Sequence, residues 1–582
     1  MAVLTSSPRR VVSKGDLMEK SVEHGEKFIA AAASSPITSD ENADLSRLGL
    51  QSQAKRDIGL LAIVGLGWNI CNSWSAIAAT LVISISSGGP VTLLYGIVLI
   101  FVLGGACALS MAEMASVYPT AGGQYHWTSI LAPKRYSRGL SYCCGCINFL
   151  GWIANGAGFI IQMPVIILSL ASYLDSTYIP ETWHIFLFFQ AFNVVFTAYN
   201  IFLMKRTAWI HDVGCKHPTN YLEIPWSKQL ITTLLVFLSL AGFFVITVTC
   251  LARSERKQED SFVWTTFINE SSWSSRSIVF LTGLLNPNFI YSGLDGATHL
   301  AEECTNASSA IPKALLSTIF IGFVSAFTFS VAMLYSFTDF EPVLSSPLPI
   351  LGIWSQATGS SAAATVFVLV LSSCGCFACT GALQTASRLT WAFARDNAIV
   401  FSPFLRKVHP HLGVPVNALL VNWALIFALG YIFLASSTAF NALVATGLIL
   451  QQVSFSFPAA LALYHRFKGA AAFRRVLPRR SFKMPLVIGT IANILTIVLG
   501  LLALVFYDFP VVMPVSASNM SKAAFRRPDV LLSIANFTPD YACVVTGVMG
   551  RKVDIGPSLM PGSSQAGQHH GGCLMKSPPD SD

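Results

Sequence analysis

Long apolar runs alternate with short polar stretches along most of this chain. A transmembrane helix needs about 20 mostly apolar residues, so the pattern predicts an all-α polytopic membrane protein. We predict eleven spans, at residues 58–85, 90–118, 138–173, 182–204, 230–252, 277–300, 312–336, 361–392, 415–435, 438–463 and 485–507. A twelfth span is damaged, because the apolar run at 541–550 is about half the length needed to cross.

Two of these runs contain polar residues and glycines that a plain anchor helix would lack. The first run carries Gly65, Gly67, Asn69, Asn72 and Ser73, and the sixth carries Phe289, Tyr291, Gly293 and Asp295. A charge near the bilayer centre is costly and normally faces a bundle interior or a water-filled path. Interrupted segments in both halves of a chain are typical of a transporter with its site at the bilayer midplane.

Composition supports a membrane protein with polar tails. The chain is 53% hydrophobic and 11% charged, whereas soluble domains are about 25% charged. Residues 1–57 and 551–582 contain few large apolar residues and are predicted to be disordered tails around a transporter domain at 58–550. Two stretches, 214–228 and 521–540, differ in composition from the adjoining spans. Either the chain has eleven spans, or these stretches are unremoved intron sequence, which is the interpretation that we favour.

Charge predicts orientation and excludes one class of partner. The net charge of +8 comes from basic loops that alternate along the chain. By the positive-inside rule these loops and the N-terminus are cytoplasmic, in a plasma membrane protein, and no folded basic domain exists to bind nucleic acid. The sequon at Asn269 lies in a predicted outer loop and is a glycosylation candidate, whereas the sequon at Asn306 should face the cytoplasm.

Three motifs carry a resemblance to a known family. They are Glu113-x-x-Ser-x-Tyr-Pro-x-x-Gly-Gly-x-Tyr-x-Trp127, Gly293-Leu-Asp295 running into Glu302-Glu303, and Gln384-Thr-Ala-Ser-Arg388 followed by Ala394-Arg395-Asp396. They resemble the amino acid/polyamine/organocation superfamily. Asn72-Ser-Trp74 and Asp295 with His299 are similar to its fungal amino acid/choline branch, which contains GABA, choline and polyamine permeases. The resemblance implies a LeuT-type fold of five helices plus an inverted five, with two more appended.

The interrupted spans predict how a solute is held. The N-terminus of a half-helix near Gly65 to Ser73 offers unpaired N–H groups and a positive dipole end to a substrate carboxylate. Gly65 and Gly67 are equally open to a packing role. Asp295 has three open roles: accepting a substrate ammonium, carrying a coupled proton, or bracing the break. Phe289 and Tyr291 are candidates to gate the pocket or face a cationic headgroup, or to pack in the core.

Other acidic residues are interpreted as structural. Glu113 is predicted to clamp the inner gate through backbone or arginine partners, and Glu302 and Glu303 to form surface pairs of little individual stability. Span 230–252 lacks a lysine, so proton coupling would depend on Asp295 or Glu113. The cysteines of spans three and eight lie in apolar helices, so we predict no metal site and no cofactor.

These observations predict a secondary transporter that imports a small amine-bearing solute, most simply an amino acid such as GABA, with a proton. A choline or polyamine permease is the alternative, and it would need an aromatic cage without a carboxylate pocket. A nutrient sensor, which would bind a ligand without moving it, is the alternative of another class. An enzyme is not expected, because no catalytic constellation stands outside the family motifs.

Overall fold

A computed structural model describes residues 56, 58–203, 226–336, 338–339, 343, 348–478 and 480–509. The chain divides into two compact units, 1–526 and 527–582, and the described residues all belong to the first. Five sequence predictions therefore lie outside the described residues: both tails, almost all of the stretch 214–228, the stretch 521–540, and the damaged span at 541–550.

The described residues are helical, apart from loops and two isolated β-bridges. The helices are α1 Leu60–Cys71, α2 Ser73–Ser86, α3 Gly89–Ala115, α4 Gln124–Leu131, α5 Ser137–Leu174, α6 Thr182–Ala198, α7 Trp226–Arg253, α8 Asp260–Thr265, α9 Arg276–Gly283, α10 Leu285–Phe289, α11 Gly296–His299, α12 Ala307–Ser336, α13 Pro349–Thr358, α14 Ser361–Arg395, α15 Ser402–Leu405, α16 Val416–Ala435, α17 Ser437–Phe467, α18 Ala470–Val476 and α19 Leu486–Phe506. A short π-helix, Tyr199–Leu203, extends α6, and a 3₁₀ turn, Ala301–Glu303, follows α11.

The predicted all-α membrane fold is confirmed. Within the described part of the chain, nine helical segments are long and apolar enough to cross a membrane, and the apolar part of α7, Phe237–Arg253, adds a shorter one. The sixth predicted span is present but broken into α9, α10 and α11. Large apolar side chains such as Phe320, which is 64% exposed, cover the outside of the bundle, where lipid replaces water.

The two broken segments lie inside a scaffold of long helices. Helix α12 packs against α1 and α3, and α5 packs against α14 and α17. Half-helix α10 packs against α2, and α11 packs against α1. Ser73 at the start of α2 donates a hydrogen bond from Oγ to the Ile290 carbonyl at 2.7 Å, so the two breaks hold each other directly.

The first break is a single residue rather than the glycine-bearing stretch that the sequence indicated. Helix α1 runs without interruption through Gly65 and Gly67 and ends at Cys71, and Asn72 then adopts a φ of 30°. Asparagine is one of the few residues that tolerate this left-handed region. Gly67 instead permits a close approach, because an added Cβ would lie 2.6 Å from the Thr318 Oγ1 on α12.

The second break spans six residues between α10 and α11. Turns replace the helix from Ile290 to Asp295, and Gly293 sits at its centre with a φ of 82°. A side chain at Gly293 would be strained by this φ and would also meet Ile70, whose Cγ2 is 2.6 Å from the ideal Cβ position. The backbone of this break therefore approaches α1 as closely as a glycine allows.

Candidate functional site

A cavity of about 100 Å³ lies beside both breaks. One water needs about 10–15 Å³ on this kind of measure, so the cavity has room for a small organic solute. Its walls come from the two breaks and from α5, α14 and α17, and they are formed by Ile70, Cys71, Asn72, Ser75, Ala76, Ala79, Thr80, Asn155, Gly158, Phe159, Gln162, Ile166, Phe289, Ser292, Leu371, Gly375, Ala378 and Val444.

The cavity wall is neutral. Among its described lining residues there is no aspartate, glutamate, lysine, arginine or histidine. Two phenylalanines, Phe159 and Phe289, lie among amide and hydroxyl side chains. The face of an aromatic ring attracts a cation, and amides and hydroxyls can hydrogen-bond to an oxygen of a solute.

Asn72, which forms the first break, also lines this wall. Its Oδ1 accepts a hydrogen bond from the Ser239 hydroxyl at 3.1 Å, and the Ser239 hydroxyl accepts one from the Trp74 indole at 3.2 Å. These bonds fix the orientation of the Asn72 amide. Its Nδ2 is fully buried and faces protein atoms rather than the open space of the cavity.

The structure brings only some of the predicted site residues to the cavity. Asn72 and Phe289 line it directly. The remaining predicted contacts, which do not line it, are Gly65, Gly67, Asn69, Ser73, Tyr291, Gly293 and Asp295. Tyr291 packs in the core and donates its hydroxyl to the Ile319 carbonyl at 3.0 Å.

Asp295 lies behind the cavity in a polar network. Its side chain is fully buried, and its Oδ2 accepts from the Gln124 Nε2 at 2.8 Å and the Trp152 indole at 3.2 Å. Its Oδ1 accepts from the Gln451 Nε2 at 3.0 Å. Gln451 in turn accepts at Oε1 from the Gly293 backbone N–H at 3.1 Å, so the network ties α4, α5 and α17 to the second break. His299 Nε2 is 3.0 Å from Oδ2.

Glu302 and Glu303 form buried ion pairs, which corrects the sequence interpretation of them as surface residues. Glu302 is 3% exposed and binds the Arg395 guanidinium through both oxygens, at 2.7 and 2.9 Å. Glu303 binds Arg388 at 2.8 Å. The sequence places Glu302 and Glu303 just after a predicted span, but it does not show that the 3₁₀ turn folds back against α14. Breaking such buried pairs costs about 3–5 kcal/mol, because one charge is left unpaired.

The loop after α14 also packs on this end of the bundle. The Tyr125 hydroxyl on α4 donates to Asp396 Oδ2 at 2.8 Å. Burial, together with the nearby Asp396 carboxylate, raises the pKa of Tyr125 well above its usual value. Tyr125 therefore remains a hydrogen-bond donor at every physiological pH.

Glu113 has the arginine partners that the sequence predicted for a clamp. At the end of α3 it pairs with Arg466 from the end of α17 and with Arg480 from the segment before α19. The two guanidinium groups flank the Phe473 ring, at 4.2 and 5.0 Å from its centroid. Glu113 thus joins three parts of the chain, and it does not line the cavity.

Sequence reasoning missed most of the polar network. Asn148, Asn155 and Gln451 were each hidden inside an otherwise apolar span, and His299 appeared only within a motif. The sequence did contain an indication of this network. Buried amides in a membrane helix need hydrogen-bond partners, and the seven-residue spacing of Asn148 and Asn155 places both on one face of α5. No cluster of potential metal ligands is present among the described residues, and none of their ten cysteines forms a disulfide.

Comparison with known proteins identifies the family of this chain. A family described as amino acid permease matches residues 58–215 and 224–525. The chain belongs to this amino acid permease family. It is accordingly a multi-pass membrane transporter and not an enzyme.

Several curated relatives align with most of the permease. The choline transporter of Saccharomyces cerevisiae is 34% identical over 80% of this chain and 78% of its own length. A protein of Macrophomina phaseolina named as an amino acid/polyamine transporter is 30% identical over 80% of this chain and 98% of its own length. The swainsonine transporter of Arthroderma benhamiae is 32% identical over 81% and 88%.

Proposed function

We propose that this permease imports a small amine-bearing solute across the plasma membrane and holds it in the cavity between the two breaks. The observation that carries the proposal is the composition of the cavity wall. It combines two aromatic rings with amide and hydroxyl side chains and contains no charged side chain among its described residues. Such a wall favours a solute whose cation needs no ion pair.

Choline fits this wall best. A quaternary ammonium donates no hydrogen bond, so Phe159 and Phe289 can stabilise it through their ring faces. The amide and hydroxyl side chains of the wall can hydrogen-bond to the choline hydroxyl. The choline transporter relative supports this choice.

An amino acid such as GABA is the second candidate, and the N-terminus of α2 favours it. Helix α2 starts at Ser73, directly after the break at Asn72, and its first turn reaches the cavity wall at Ser75. A helix N-terminus carries a partial positive charge and unpaired N–H groups, so it can hold a carboxylate without an arginine. The solute would then place its carboxylate at α2 and its ammonium toward Phe289.

Transport would follow alternating access. The cavity lies between a scaffold of long helices and two broken ones, so rocking one group against the other would open it to each side in turn. The buried pairs of Glu302 with Arg395 and Glu303 with Arg388 would close the cytoplasmic side. We propose symport with protons as the energy source and a cytoplasmic N-terminus as the orientation.

Uptake measurements in a permease-deficient yeast strain test this proposal. Radiolabelled choline, GABA and putrescine would be compared at several pH values, with each unlabelled solute as competitor. We expect saturable choline uptake that GABA inhibits weakly. Preferred uptake of GABA would select the second candidate, and ligand binding without any flux would overturn transport in favour of a sensor.

A further inference from the structure

The contact between Asp295 and His299 defines where one proton must lie. His299 Nδ1 is 2.8 Å from the Ala121 carbonyl oxygen, which can only accept, so Nδ1 carries a hydrogen. The other ring nitrogen, Nε2, is 3.0 Å from Asp295 Oδ2. A lone pair facing a carboxylate at this distance would be repelled. The contact therefore contains a proton, shared as carboxylate with imidazolium or as carboxylic acid with imidazole.

No other charge offsets this pair. Both side chains are 0% exposed, and no lysine or arginine contacts either of them among the described residues. Asp295 accepts otherwise only from neutral donors, on Gln124, Trp152 and Gln451. Since a lone buried charge is expensive, the pair is most stable while it keeps its proton and stays neutral.

The other titratable groups nearby are thiols, His126 and groups that are already paired. His126 on α4 is close enough to sense Glu302 and Arg395, and its ring contacts Thr120 rather than the pair. Cys71 on α1 and Cys144 on α5 are the thiols close enough to sense the Asp295 charge. Glu302 and Glu303 belong to the buried arginine pairs described above. Tyr125 is occupied by Asp396. Among the described residues the proton therefore has Asp295 and His299 as its natural site.

One loop residue connects this proton to the ion pairs at the end of the bundle. Ala121 accepts from His299 Nδ1 through its carbonyl and donates its N–H to Glu302 Oε1 at 3.1 Å. Glu302 at the same time holds Arg395. Any movement that separates Glu302 and Arg395 from this loop would also remove the Ala121 carbonyl, which accepts the hydrogen bond from His299 Nδ1.

We propose that Asp295 and His299 form the proton-coupling site of the permease, and that Ala121 controls its emptying toward the cytoplasm. This inference rests on the symport proposed above and names its site. When the loop moves, the imidazolium gives its Nδ1 proton to water. The Nε2–H stays and donates to the Asp295 carboxylate, so the hydrogen bond persists while the pair gains one negative charge. Reloading returns a proton to Nδ1 and restores neutrality.

Purified permease in proteoliposomes with an entrapped pH dye tests the site. We compare wild type with His299→Gln and Asp295→Asn, and use His184→Gln on α6 as the matched control, because His184 contacts Tyr178, outside the loop and the ion pairs of the proposed site. Two quantities are measured: proton influx with solute uptake, and exchange of labelled for unlabelled solute. We expect both site variants to lose proton influx and gradient-driven accumulation while exchange remains measurable. The control should behave as wild type.

The possible outcomes separate this inference from the proposed function. Proton influx that persists in His299→Gln overturns the site. Wild-type uptake that ignores the proton gradient also overturns it but leaves transport standing, whereas no flux of any solute overturns the proposed function itself. If neither variant is recovered folded, Asp295→Glu decides. A shifted pH profile of uptake supports the site, and an unchanged profile contradicts it.

Discussion

At the residue scale, the choice of solute depends on which side chains reach the cavity. Phe289 is the aromatic residue, among those predicted for the site, that lines the cavity. A cation above a ring gains about 0.5–2 kcal/mol, which corresponds to roughly 2- to 30-fold in affinity. We therefore expect Phe289→Ala to raise the KM for choline by about tenfold and Phe289→Tyr to change it little. Phe320→Ala, on the lipid-facing side of α12, is the control. Equal KM values for all four proteins would remove Phe289 from the site.

Asn72 has two functions that substitutions can separate. It adopts a left-handed φ that forms the break, and its amide accepts the Ser239 hydrogen bond beside the cavity. Glycine accepts this φ without strain but has no amide, whereas alanine is strained there. We expect Asn72→Gly to reach the membrane normally but to bind solute more weakly, by about fivefold, because the lost Ser239 hydrogen bond of about 1 kcal/mol no longer holds this part of the wall in place. Asn72→Ala should also reduce the amount of folded protein. Undiminished affinity of Asn72→Gly in a binding assay would leave Asn72 with the backbone role alone.

At the scale of helices, Gly67 sets the distance between α1 and α12. An added Cβ would lie 2.6 Å from Thr318 Oγ1 but 3.9 Å from Thr318 Cβ, so the clash is with the hydroxyl alone. That hydroxyl is buried without a partner among the described residues, so its removal should cost little. We expect Gly67→Ala to destabilise the permease by about 1–3 kcal/mol and Thr318→Ala with Gly67→Ala to recover most of this loss. Thermal unfolding of the detergent-purified variants measures both, and an additive double variant would contradict the contact.

The helices also show what the sequence could and could not predict. Span positions follow from apolar length, a local property. Nine of the eleven predicted spans therefore coincide with described helices long enough to cross, the fifth coincides with the shorter apolar part of α7, and the sixth is broken into α9, α10 and α11. The position of the first break was less predictable. A glycine in a span, such as Gly65 or Gly67, can either break the helix or let two helices pack closely, and the sequence alone does not distinguish the two. Which polar side chains pair with each other could not be predicted at all. That Glu302 binds Arg395, and Asp295 binds His299 and Gln451, depends on which helices are neighbours.

At the scale of the whole molecule, the two glycosylation sequons allow the orientation in the membrane to be tested. The bridge between Ser87 and Asn269 joins the loop after α2 to the sequon, while Ile58 at the start of α1 bridges to Cys304. We expect the Asn269 end to be extracellular and glycosylated, since the Asn269 side chain is exposed. Asn269→Gln should abolish a glycosidase-sensitive mass shift on gels, and Asn306→Gln should leave it unchanged. A shift that depends on Asn306 instead would invert the orientation.

The last prediction concerns the natural message. The family match omits residues 216–223, inside the stretch 214–228, and it ends at residue 525, inside the stretch 521–540. Both stretches differ in composition from their neighbouring spans. Joining Met520 to Tyr541 leaves an apolar run to Gly550 that is still too short to cross a bilayer. We therefore expect cDNA to differ within 521–540 and again just after Gly550, restoring about 20 apolar residues and a cytoplasmic tail. Part of 214–228 should be absent as well.

A continuous message that encodes this full sequence would refute the intron interpretation. In that case an antibody on intact cells should reach an epitope placed after Asp582.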